Sequence, residues 1–107
     1  MFRQEQNFKV HTFIGLIALL LGWLCHLKPV EWCLVLLVIA MVLTAEMTNT
    51  AIEKLCDLVE PNPNETIKII KDISAGMVLF SAAFALIIGM ILYLPKVILL
   101  ITALLRK

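Results

Sequence analysis

Four polar residues share one stripe of an otherwise apolar stretch: Glu46, Asn49, Glu53 and Asp57. Their spacing of 3, 4 and 4 holds them within an arc of roughly 80° on a helix that turns about 100° per residue. Three acids and an amide in one row do not make a lipid-facing surface. With no histidine or thiolate among them, they form an oxygen-donor set. Such donors suit Mg²⁺, which often keeps several waters and completes its shell with substrate phosphates. Lys71 and Asp72 open the next predicted helix on the same side. A lysine there can pair with a nucleotide phosphate, and the aspartate can add a metal or ribose contact. Glu46 is the deepest of the stripe and stands where a lipid hydroxyl can arrive, a position suited to a general base. The chain has no Gly-rich phosphate loop and no Walker pattern, so any phosphoryl transfer here differs from that of the common soluble kinases.

The elements that position these groups follow from composition. Of 107 residues, 62% are hydrophobic and 16% charged, and mean hydropathy is +1.00. Soluble domains sit near about 45–50% apolar and about 25% charged. A water-soluble core of this size cannot hide so much apolar surface, so the bilayer is the expected solvent. A net charge of +1 is too balanced for a nucleic-acid partner. Cys25, Cys33 and Cys56 are odd in number and lack metal-type spacing. They read as apolar filler, not as a disulfide framework or zinc site. No small-residue cleavage site follows the first apolar run, which argues against a signal peptide.

A spanning helix needs about 20 mostly apolar residues. Three fit in one membrane domain covering 1–107, at approximately 12–28, 32–55 and 67–94, with a C-terminal extension over 96–107. Pro29 is expected to break the first helix, with a tight turn over Lys28–Glu31 and the second helix starting near Glu31 or Trp32. From Trp32 to Ala45 there are 14 residues without an ionisable group other than the cysteine thiol, too few to cross. The second helix must therefore run on through Glu46 to about Ala51, which brings Glu46 and Asn49 to membrane depth. A carboxylate there costs at least about 2–3 kcal/mol and is a functional candidate by default. Glu60-Pro61-Asn62-Pro63-Asn64 is a hydrophilic turn, and Asn64 or Thr66 can cap the third helix. Ser81, Ala85 and Gly89 recur every four residues, the small-residue pattern of close helix packing. Pro95 ends or kinks the third helix, and the apolar tail after it extends that helix or lies at the interface.

Other polar residues have plainer readings. Glu60 and Glu65 are solvated loop acids, and Lys54 and Lys68 are anchors that snorkel to the interface. His11 and His26 sit at the two ends of the first helix as interface residues. Trp23 and Trp32 belong to an aromatic belt. Cationic residues divide five to four between the two sides: Arg3, Lys9, Lys54, Lys68 and Lys71 against Lys28, Lys96, Arg106 and Lys107. That margin does not set topology. A need for ATP on the second-loop side makes that side cytoplasmic.

Glu46-x-x-Asn49-Thr50-Ala51-Ile52-Glu53-x-x-x-Asp57, followed by Lys71-Asp72-Ile73-Ser74-Ala75-Gly76, resembles the signature of the prokaryotic diacylglycerol kinase family. Phe2-Arg3-Gln4-Glu5 and Asn7-x-x-Val10-His11 resemble the family's entry into its first span. The resemblance covers nearly the whole chain. It implies an all-α integral membrane fold, a homotrimer of three-helix subunits with composite sites at subunit boundaries, and residence in the bacterial inner membrane. It implies transfer of the γ-phosphoryl group of ATP, with Mg²⁺, to a lipid hydroxyl. By position, Glu46 would be the catalytic base, with Asn49 organising the site, and Glu53 a magnesium ligand. Asp57, Lys71 and Asp72 would serve the nucleotide, with Asn62 and Asn64 in the loop approaching it. Arg3, Gln4, Glu5, Ala75 and Glu46 would meet the lipid.

The family has two branches. Asn49-Thr50-Ala51-Ile52-Glu53, Asp57-Leu58 and Lys71-Asp72-Ile73-x-Ala75-Gly76 are more similar to the undecaprenol branch. The diacylglycerol branch typically has serine after the asparagine and Met-Gly-Ser after the Lys-Asp pair. Family members usually carry an amphipathic surface helix before the first span, with a second acidic magnesium ligand. This sequence starts at the Phe-Arg-Gln-Glu segment, so the expectation is either a truncated sequence or a nucleotide site that has lost that part. Two other classes compete: a small proton-coupled transporter built on one deep glutamate, and a non-catalytic relic. Such exporters usually have four spans with the glutamate in the first, whereas the first span here has no acid.

Overall fold

A computed structural model describes the backbone of residues 2–106 and the side chains of residues 8–106. Three helices make up its regular structure: α1 (Phe2–Leu24), α2 (Pro29–Val59) and α3 (Glu65–Leu105). The middle helix α2 packs against both others. Both α2 and α3 are long and apolar enough to cross a membrane, while the apolar part of α1, Phe8–Leu24, is shorter.

The turn between α1 and α2 lies one step earlier than the sequence suggests. His26 adopts a left-handed φ of 55°, and the Leu27 N–H reaches back to the Gly22 carbonyl at 3.2 Å. This is the 6→1 closure of a Schellman motif. Pro29 does not follow the break but opens α2 at its first position, where its missing N–H costs nothing. Glu31, three residues into the cap, accepts the Lys28 N–H at 2.9 Å. Its Oε1 also lies 3.2 Å from Lys96 Nζ, which ties the start of α2 to α3.

At the other end, the Glu60 N–H bonds the Cys56 carbonyl at 2.9 Å, and α3 begins behind Asn64. The Asn64 Oδ1 accepts the Ile67 N–H at 3.1 Å, an N-cap bond. The 41 residues of α3 amount to about 61 Å of helix, close to the 63 Å long dimension of the molecule. Pro95 lies inside this helix and does not end it. One proline removes a single N–H; breaking the helix in lipid would strand several backbone groups.

Burial runs opposite to that of a soluble protein. Large apolar side chains face outward, among them Trp23, Leu37, Leu79 and Phe80. The buried set includes Glu46, Asn49, Ser74 and Ser81 beside Val35, Ala45, Cys56 and Val78. An outer apolar coat around inner polar groups is what a bilayer demands. The cysteines are free.

Helix α1 docks through a stripe spaced 4, 3 and 4: His11, Gly15, Ala18 and Gly22. Gly15 and Gly22 are buried. A Cβ on Gly15 would meet Ile39 at 3.4 Å, and one on Gly22 would stand 2.8 Å from Leu27, 3.1 Å from Trp32 and 3.2 Å from the Tyr93 hydroxyl. That hydroxyl donates to the Ala18 carbonyl at 2.7 Å and links α3 to α1. Between the three helices lies an apolar groove of about 590 Å³, walled by Ala18, Ile39, Ala85, Gly89 and Tyr93, with His11 in its lining.

Candidate functional site

The stripe inferred from spacing is one continuous face of α2. It grades from enclosed to open. Glu46 retains 2% of its exposure and Asn49 7%, Glu53 is half-buried, and Asp57 is exposed. Asp57 follows Glu46 by eleven positions along the helix, a rise of about 16 Å.

Each end of the stripe is held from another helix. Ser74 Oγ on α3 donates to Asn49 Oδ1 at 2.6 Å, satisfying a buried amide oxygen. Lys71 Nζ, one turn earlier on α3, pairs with Asp57 Oδ1 at 2.6 Å. At the deep end, His11 Nδ1 on α1 lies 2.9 Å from Glu46 Oε1. The contact is not aligned as a hydrogen bond, and the nitrogen is enclosed with no hydrogen-bond partner among the described residues. Thr50 Oγ bonds the Glu46 carbonyl at 3.0 Å and leaves the carboxylate to other groups.

Not every candidate joins this cluster. Asp72, Asn62, Asn64 and Ala75 are exposed. The Asn62 N–H bonds Glu60 Oε1 at 3.2 Å, and the Asn64 side chain is engaged as the α3 cap. Arg3, Gln4 and Glu5 lie on α1, outside the residues whose side chains are described. Two members of the cluster escape the sequence reading. His11 reads there as an interface residue, and Ser74 as part of a motif without a role. The signal for His11 is present in its spacing to Gly15, Ala18 and Gly22, which marks the face of α1 that turns inward.

Among the described residues no group of three or more His, Cys, Asp or Glu side chains is placed to hold a metal. That does not disfavour Mg²⁺, which is commonly held by one or two carboxylates plus substrate phosphates. Glu53, half-buried between Asn49 and the open Asp57–Lys71 end, fits such a role.

An enclosed carboxylate on a helix long and apolar enough to cross a membrane, graded outward to an exposed aspartate paired with a lysine, is the arrangement of a helical membrane protein. The chain belongs to the prokaryotic diacylglycerol kinase family, which it matches over residues 1–93. It is 36% identical over 94 residues to the undecaprenol kinase of Bacillus subtilis (strain 168), covering 88% of this chain and 76% of that protein. It is 38% identical over 95 residues to the diacylglycerol kinase of Synechocystis sp. (strain ATCC 27184 / PCC 6803 / Kazusa), covering 88% of this chain and 54% of that protein, about half its length. No solved structure matches the chain.

Proposed function

We propose that this chain is an integral membrane lipid kinase that transfers the γ-phosphoryl group of ATP to the hydroxyl of undecaprenol. The observation that carries the reading is the gradient along α2. Glu46, 2% exposed, sits about 16 Å from the exposed pair of Asp57 and Lys71. A lipid alcohol can meet the first from the bilayer, and a nucleotide the second from water. Membership of a kinase family supports the same chemistry.

In this reading Glu46 takes the proton of the lipid hydroxyl as the hydroxyl oxygen attacks the γ-phosphorus. The bond from that phosphorus to the bridging oxygen breaks, and ADP leaves. Asn49, fixed by Ser74, organises the space beside the base. Lys71 and Asp57 exchange their mutual pairing for nucleotide contacts, with Asp72, Asn62 and Asn64 on the same side. Arg3, Gln4, Glu5 and Ala75 serve the lipid. Glu53 would hold Mg²⁺, which would supply neutralisation of charge on the transferring phosphates. The reading includes three spans with α1 as the first, a homotrimer with shared sites, and the bacterial inner membrane with the second loop cytoplasmic.

The Asn49-Thr50 and Ala75-Gly76 pattern favours undecaprenol; diacylglycerol is the second acceptor, and the similarity to a protein named diacylglycerol kinase keeps it in the test. Purified protein in detergent–lipid micelles is given MgATP with undecaprenol or with diacylglycerol. Undecaprenyl phosphate formed faster than phosphatidic acid is the expected result. The reverse order reassigns the acceptor, and no phosphorylated lipid from either sinks the kinase reading.

A further inference from the structure

We infer that His11 is the positioning residue of Glu46, holding one carboxylate oxygen through Nδ1 so that the other is free for the lipid hydroxyl. The inference rests on the reading of Glu46 as the base and adds a residue that the α2 stripe does not contain.

Three observations carry it. First, His11 Nδ1 stands 2.9 Å from Glu46 Oε1 and is enclosed. A buried ring nitrogen and a buried carboxylate are each costly unless paired. Their near-contact across two helices is therefore a pair lacking only alignment, and catalytic hydrogen bonds often tighten when substrate binds. Second, the neighbouring polar groups are committed elsewhere. Thr50 Oγ takes the Glu46 main-chain carbonyl, and Ser74 Oγ takes Asn49. Among the described residues no other side chain forms a hydrogen bond or ion pair with the Glu46 carboxylate, which His11 approaches at 2.9 Å. Third, α1 is docked so that the ring has little choice of place. Gly15 packs on Ile39 one turn along, and Ala18 accepts from Tyr93.

The chemistry follows from the imidazole. With its proton on Nδ1, the ring donates to Oε1 and fixes the orientation of the carboxylate. Glu46 then meets the hydroxyl as a base already oriented. The proton it takes goes to its second oxygen, and the Nδ1 proton stays on His11. The histidine touches neither the lipid nor ATP. Its effect falls on turnover and not on nucleotide affinity.

The test uses the full chain in detergent–lipid micelles with MgATP and whichever acceptor the wild type phosphorylates. His11→Phe fills the space without a donor; His11→Asn places an amide N–H near the position of Nδ1. His11→Phe is expected to lower kcat on the order of tenfold or more with KM for MgATP unchanged. His11→Asn is expected to regain most of that loss, with both variants eluting and melting as wild type does. Wild-type turnover by His11→Phe, or His11→Asn as slow as His11→Phe, overturns the inference and leaves the kinase reading standing. A wild-type chain that phosphorylates no lipid overturns that reading first and the inference with it.

Discussion

Ser74 Oγ and Asn49 Oδ1 meet at 2.6 Å across the α2–α3 contact, and both residues are buried. Removing the hydroxyl leaves an amide oxygen with no donor in a dry setting. The desolvation cost is about 1–3 kcal/mol, while interhelical bonds in membrane proteins average about 0.6 kcal/mol. Ser74→Ala should therefore lower the thermal midpoint modestly and turnover more. In a double-mutant cycle with Asn49→Ala, the two losses should fall short of additive by roughly 0.5–2 kcal/mol. Strict additivity would mean the bond contributes nothing to stability.

Glu46→Gln separates chemistry from folding. The amide keeps the shape but cannot take a proton. Loss of a general base typically costs about 10²–10⁴ in rate. Because burying a carboxylate costs more than burying an amide of the same shape, the variant should melt at or above the wild-type temperature. Steady-state phosphorylation and a thermal scan on the same preparation check both parts. A variant that is fast, or one that is slow only because it unfolds, removes Glu46 from the role of base.

The open end of the stripe should behave oppositely. Lys71 and Asp57 form a close pair, yet Asp57 is exposed, and exposed ion pairs are screened by solvent and contribute little to stability. Lys71→Ala should leave the melting temperature in place and raise KM for MgATP several-fold, with a smaller change in kcat. A drop in melting temperature that matches the drop in activity would make the pair a structural clamp.

That Glu46 and Asn49 turn away from the surface was legible because of arithmetic. An apolar run of 14 residues cannot cross about 30 Å of hydrocarbon, so the helix had to carry the polar residues inward. The grading from Glu46 to Asp57 was legible for the same reason: spacing within one helix fixes a face. Contacts between helices were not. The small residues of α1 mark which of its faces turns inward, but not which α2 residue each position meets, so the partner of His11 at 2.9 Å, Glu46, had no sequence signature of its own. Pro29 and Pro95 show the limit of local rules. The same residue type opens α2 and lies inside α3. At Pro29 the deciding signal was Glu31 reaching back to the Lys28 N–H; at Pro95 it was an apolar tail with no other partner for its backbone.

Gly22 tests how α1 is seated. It is the most closely approached of the four glycines. Its missing Cβ leaves room for Leu27, Trp32 and the Tyr93 hydroxyl, all within 3.2 Å of where that atom would be. Leu27 is buried and closes the Schellman turn, so it cannot simply swing away. Gly22→Val should push α1 off Tyr93 and strain the bond to Ala18. Overpacking of this kind costs about 1–3 kcal/mol. Gly76, where an added Cβ meets nothing within 4 Å, is the matched control: Gly76→Ala should be neutral or slightly stabilising, because alanine is the better helix former. Because the same helix carries His11, Gly22→Val should also slow turnover at a site about 16 Å away along α1, while KM for MgATP stays near wild type. Thermal scans of the two glycine variants, read beside their kcat, check the expectation. Equal melting temperatures for Gly22→Val and Gly76→Ala would show that α1 is not seated through this junction.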